Sequence, residues 1–345
     1  MNLFRLLAVV AVCLAMQALL YANDSAASSA AGGIQFKREP RISMAKEKLI
    51  ISTKKITVEY EFINESDQDI TTEVAFPIPA YKVTMSAGGI RNFNDFHLWV
   101  EGAERKYQIQ AKAMLKTKDC SFLLQKYGID IASLGHFEEK EESFSRDFRK
   151  LTKAAQEQLI KADIFDSETQ FPNWSVEKTY YWSQTFPAHK ALHIRHEYEP
   201  GIGFKMVEKG DLANAKAQLN PKSVKAGNGG YPPPDQFARE VRNACIDSSL
   251  NKVITKSVAE HEYVEMAWVD YILTTANNWK KPIKNFELIV EKDSRPDYPS
   301  SFVSFCWEGK VQKLGQKNFK AAATDFVPKA DLHVAFFGIP AETSK

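Results

Sequence analysis

The side chains able to do chemistry in this chain are seven histidines, four cysteines and a scatter of acidic pairs, and their spacing decides what they can do. His261-Glu262-Tyr263-Val264-Glu265 opens like a zinc-protease helix, but Glu265 stands one turn on, where the second imidazole must be. His193 and His196 lie three apart on an alternating segment, which sends them to opposite faces of a strand. The cysteines are too far apart to pair as zinc ligands. No metal and no cofactor is expected. The Gly-x-Ser-x-Gly elbow of the serine hydrolases does not occur. Gly309-Lys310 runs into Val311 and has Ser304 where the first glycine of a phosphate loop belongs. Gly201-Ile202-Gly203 lacks the third glycine of a dinucleotide fingerprint. Glu138-Glu139 and Glu141-Glu142 suit a solvated helix start better than the two carboxylates of a glycosidase. No catalytic residue is assigned.

Recognition chemistry leaves a short set of candidates. His196 shares an apolar face with Ile194 and Tyr198 and reads as a buried, hydrogen-bonded histidine. Asn277-Asn278-Trp279 reads as a turn whose indole plugs the adjoining core. The sharper alternative is a recognition loop, two amides orienting a ligand on an aromatic platform. Trp174 and Trp182 pose the same choice between core and a solvent-facing row for glycan or peptide. The candidate binding residues are thus Trp174, Trp182, His196, Asn277, Asn278 and Trp279.

The elements that must carry them are mostly strands. Ile56, Val58, Tyr60 and Phe62 alternate with polar residues, as do Leu192, Ile194, His196 and Tyr198. Thr71–Phe76, a hairpin around Glu101-Gly102, and four segments after residue 262 complete the strand set. Two helical stretches interrupt it. Asp119 can cap a short helix ending at Gly128. Phe144, Phe148, Leu151, Ala155, Leu159 and Ala162 predict one longer helix, either packed on the β-structure or presented to a partner. A third helix is predicted from about Asp235 through Cys245. Residues 26–33 are small and polar and are expected to be loose.

Arg5, the apolar run Leu6–Leu20 and the small Ala22 read as a secretory leader, with cleavage expected after Ala22; the alternative, an uncleaved membrane anchor, would want a longer apolar run. No other stretch is apolar enough to span a bilayer. Lys and Arg number 45 against 43 Asp and Glu, without a basic block, which excludes nucleic acid as the expected partner. Export removes Cys13 and leaves Cys120, Cys245 and Cys306, enough for one disulfide and one thiol.

Several motifs carry a family resemblance. They are Asn23-Asp24-Ser25 with Ala31-Gly32-Gly33, the segment Val74-Ala75-Phe76-Pro77-Ile78-Pro79, and Tyr181-Trp182-Ser183-Gln184-Thr185-Phe186-Pro187-Ala188. His196-Glu197-Tyr198-Glu199-Pro200, Tyr271 through Trp279, Pro282-Ile283 and Val303-Ser304-Phe305-Cys306 follow in order. The chain resembles the bacterial domain-of-unknown-function 4424 family over nearly its whole length after the leader. Lys281 departs from the pattern, which has a small residue before the proline. The resemblance implies an exported Gram-negative protein, periplasmic or secreted, and supplies no reaction. It reaches Cys306, and Cys245 is the other cysteine of the same C-terminal segment, so a Cys245–Cys306 disulfide is expected.

The expected architecture is mainly β (α+β): two β-sandwich-like domains, the first with a helical insertion. Residues 1–22 form the leader. Residues 23–205 form the first domain, with the insertion at about 119–165. Residues 206–234, rich in Gly, Pro and Lys, form a linker, and 235–345 form the second domain with a leading helix. The expected function is non-enzymatic binding of a protein or glycan partner, in the periplasm or as a secreted effector. The alternative is an uncharacterised hydrolase of glycan or peptide.

Overall fold

A computed structural model of the chain describes residues 23–30, 33–81, 93–132, 137–138, 141–142, 147–219, 236–292 and 300–339. The leader expected at residues 1–22, Phe144 and residues 220–235 lie outside the described residues.

The fold is mainly β. A six-stranded antiparallel sheet runs β2 (Gly33–Phe36), β1 (Ser25–Ala30), β5 (Ile70–Pro77), β12 (Ser175–Phe186), β8 (Gln108–Leu115), β9 (Lys118–Asp119). An eight-stranded sheet runs β18 (Gln312–Leu314), β19 (Asn318–Phe326), β16 (Ile283–Glu291), β3 (Ile42–Ile51), β4 (Ile56–Asn64), β13 (Ala191–Glu199), β6 (Asn94–Val100), β7 (Ala103–Glu104). A four-stranded sheet runs β14 (Gly203–Glu208), β15 (Tyr263–Tyr271), β20 (Leu332–Ile339), β17 (Ser300–Phe305). The short strands β10 (Phe137–Glu138) and β11 (Glu141–Glu142) pair with each other.

Period-2 alternation sets the layers. On β13, Leu192, Ile194, His196 and Tyr198 are buried while His193, Arg195 and Glu199 are exposed. Its inner face meets the inner face of the six-stranded sheet. Phe62 lies edge-on to Phe186 with ring centroids 5.8 Å apart, and Phe96 stacks on Tyr180 at 4.0 Å. This is sandwich packing. The third sheet is buried on both faces. Val269 and Tyr271 of β15 join the sandwich core, and Val264, Met266 and Trp268 join a second core under the helices Gln236–Asn243 and Ser248–His261. Gly203 faces Trp268 across the β14–β15 ladder, and a Cβ there would fall 1.9 Å from the indole. The glycine pair that fails as a dinucleotide fingerprint thus has a packing role at its second member.

Both long segments of the chain build the eight-stranded sheet. β16, from the segment 235–345, pairs parallel with β3, from the segment 23–205, in the register Leu288 to Leu49. The start of the expected linker is occupied by the end of β14 and the helix Lys209–Leu219.

Several local expectations change. Residues 25–30 are strand β1, paired between β2 and β5, with Ala26 and Ala27 buried on its two faces. The single helix predicted over 144–162 is broken at Thr152, whose extended backbone and side-chain oxygen, accepting from the Ala155 amide, start a separate helix at Lys153–Lys161. Phe148 and Leu159 are buried, so this stripe covers the sandwich and is not free for a partner. Asp119 does bond the Ser121 amide at 2.9 Å ahead of the helix Ser121–Lys126, and Gly128 follows its end with φ +69°. The helix Ser248–His261 was missed, although Asp247 caps it at 2.8 Å and Leu250, Ile254 and Val258 mark its face.

Candidate functional site

Among the described residues, two polar centres bring carboxylates against histidines at short range. The first is sealed. Asn23, Asp24, Ser25, Glu47 and His196 are 0% exposed. The Asp24 carboxylate and His196 Nε2 are 2.8 Å apart. Asn23 Nδ2 donates to both oxygens of Glu47 at 3.0 and 2.9 Å. Trp279 Nε1 donates to the Asp24 carbonyl at 2.7 Å, and Asn278 Nδ2 to Ser25 Oγ at 2.8 Å. The Tyr60 and Tyr271 hydroxyls meet at 3.1 Å beside them. Burial raises Asp24, against the opposing pull of His196, and pushes Glu47 up to about 8.

Four of the six candidate binding residues, His196, Trp279, Asn278 and Trp182, stand in or next to this cluster, and Trp174 is buried elsewhere in the core. His196 and Trp279 belong to the sealed cluster, Trp174 is 0% exposed, and Trp182 packs edge-on to His196 at 5.3 Å. Asn278 bonds Ser25, and Asn277 Nδ2 donates to the Pro328 carbonyl at 2.9 Å. The stretch 274–278 is a 3₁₀ helix, a turn whose following indole fills the core. Lys281, the residue at odds with the family pattern, is taken up by Glu65 at 2.7 Å. Lys280 does the same, and the two hold that carboxyl down to about 2.

The second centre is open. Cys245 and Cys306 form a disulfide, and a cleft lies on each side of it. The larger, ≈ 650 Å³, is walled by Trp307 and Phe326, which both stack on Phe286. Its rim carries the exposed pair Glu308–Lys329 at 3.1 Å. The smaller, ≈ 530 Å³, is lined by Asp270, His333 and Arg242. Cys306, Ala330, Asp331 and Leu332 line both, so the two clefts adjoin across these residues. Asp331 accepts from the Leu273 and Thr274 amides at 3.1 Å and from the Thr274 hydroxyl at 2.8 Å, while burial raises its pKa.

His333 is the clearest functional group here, and the sequence reading did not single it out. Its Nδ1 contacts Asp270 at 2.6 Å and its Nε2 contacts Glu240. Burial alone would lower its pKa, but the two carboxylates outweigh this and push it up to about 9. The ring is then an imidazolium at neutral pH with both nitrogens engaged, which suits it to hold charge and not to accept a proton as a general base. The signal that could have found it is alternation on β20: Leu332 and Val334 are buried, and a titratable residue between them faces the opposite side. Its carboxylate partners come from distant segments and leave no local motif. Among the described residues no group of three metal-ligating side chains is poised for an ion, and no helix is long and apolar enough to cross a membrane.

No curated protein matches the chain. Among solved structures it is similar to a candidate nutrient binding protein from Legionella pneumophila, at 14% identity and a TM-score of 0.42, over 91% of this chain and 69% of that one. The family model described as a domain of unknown function (DUF4424) matches residues 22–335, and the chain belongs to that family.

Proposed function

We propose that the protein is an exported, non-enzymatic binding protein whose ligand seat is the pair of adjoining clefts around the Cys245–Cys306 disulfide. The observation that carries this is the placement of the two clefts against the same four residues, Cys306, Ala330, Asp331 and Leu332. An aromatic wall at Trp307 and Phe326 runs into a charged end at Asp270, Asp331 and His333. An elongated seat, apolar at one end and charged at the other, suits a short peptide segment with one apolar side chain and a polar terminus. Two observations support the non-enzymatic reading: His333 is held at both nitrogens, and the buried His196 has no opening beside it. The disulfide fits an oxidising compartment outside the cytoplasm, and the leader expected at 1–22 supplies the route.

The test is equilibrium binding of the mature protein to peptide and glycan arrays, repeated with Trp307→Ala and Asp331→Asn. Peptides retained by wild type should bind at least about tenfold more weakly to Trp307→Ala, as expected for a central aromatic anchor. Ligands bound equally well by both variants, or glycans alone, would refute the peptide seat.

A further inference from the structure

We propose that leader removal after Ala22 makes Asn23 the amino terminus, and that its new α-ammonium is the buried counter-ion of Glu47. The cluster's charge count motivates this. It holds two carboxylates, Asp24 and Glu47, and one imidazole, His196. His196 is spent on Asp24 at 2.8 Å. Glu47 is met by the neutral amide of Asn23 and by the hydroxyl of Tyr271. Its strand neighbours Lys46 and Lys48 point to the opposite face of β3, and Lys48 pairs with Glu59 there. Among the described residues, Glu47 has no cationic partner although it is 0% exposed, and a buried carboxylate without one is expensive.

Covalent geometry supplies the missing charge. The α-nitrogen and Nδ2 of one asparagine are four bonds apart, at most about 5 Å. Nδ2 already touches both Glu47 oxygens. An α-nitrogen in a peptide bond is a neutral amide. Hydrolysis by a signal peptidase breaks the Ala22–Asn23 C–N bond. Water gives its hydroxyl to the Ala22 carboxyl and a proton to the Asn23 nitrogen, and the freed amine takes up another proton. The ordinary α-amino pKa is about 8, and burial together with the Asp24 charge lifts Glu47 to about 8 against its hydrogen bonds from Asn23 and Tyr271. Moving the proton from that carboxyl to the amine creates an ion pair in place. Asn278 and Trp279 then clamp the following residues from the far end of the chain. The cluster is thus a receptor for the processed terminus.

The experiment uses mature protein recovered after export, with its first residue fixed by intact mass. The α-amine is acylated with an activated ester at neutral pH, native and in urea, and the Asn23 peptide is quantified. Native labelling should be slower than unfolded labelling by about 100-fold or more, because it needs local opening. Glu47→Gln should speed native labelling by roughly tenfold, and a chain with one extra alanine before Asn23 should lose the protection. Equal native and unfolded rates in wild type would overturn the proposal, as would a mature chain starting elsewhere or retaining its leader. If Glu47→Gln fails to fold, the wild-type comparison still decides, since a cluster that held only the Asn23 side chain would leave the amine reactive.

Discussion

At Asp24–His196 a carboxylate and an imidazole stand 2.8 Å apart with neither side chain exposed; at Asp270–His333 the same two groups stand 2.6 Å apart with 44% of the aspartate exposed. The first pair is ringed by Tyr60, Phe76, Phe96 and Trp182, and no solvent reaches it. The second opens on a cleft and gathers a second acid, Glu240. The chemistry of the pair is shared, so access is what divides their roles. Sealed, it fixes how the amino-terminal strand enters the core. Open, it displays a charge that a ligand can meet.

His196→Ala should break this comparison most forcefully. It strands Asp24 as a buried acid without its partner and should cost about 3–5 kcal/mol in urea denaturation. Asp270→Ala, with its carboxylate half in solvent, should cost about 1 kcal/mol. Equal losses at the two sites would mean that access does not set their roles. The disulfide comes next. Its cysteines are 61 residues apart, and reduction, or Cys245→Ser with Cys306→Ser, should remove about 2–4 kcal/mol. A melting temperature indifferent to reductant would show that the cleft is held open without it.

A pH titration separates the two centres at a smaller scale. The folded pKa of His333, about 9, lies above the ordinary 6.5, so the folded state binds more protons between those values. Its contribution, about 3 kcal/mol at most, is complete below pH 6.5 and is lost as pH rises through 9. Asp270→Asn should flatten the stability curve in that window, and an unchanged slope would remove His333 as its source. The smallest effect is expected at Thr152→Ala, where losing the cap of Lys153–Lys161 should cost about 1 kcal/mol and leave ligand binding untouched.

The alternating strands were legible in the sequence because their period records burial directly: Leu192 to Tyr198 and Ile56 to Phe62 lie as read. The Cys245–Cys306 bond was legible through the family resemblance. Strand β1 was not, because serine and alanine give no hydrophobic signal even where they are buried. The break at Thr152 was hidden within an apolar stripe that continues on both sides of it. His196 was read correctly as a core histidine, but nothing near it in sequence names Asp24 as its partner. The open centre was invisible for the same reason. Glu240, Asp270, Asp331 and His333 come together only when a helix, a turn and two strands pack.

The parallel pairing of β16 with β3 bears on how the molecule is made. During synthesis β3 emerges early and must wait for residues 283–291 before that edge is covered. Non-local pairing of this kind slows folding. A chain wired in this way finishes its largest sheet only when residues 283–291 arrive, so the two long segments are expected to unfold together.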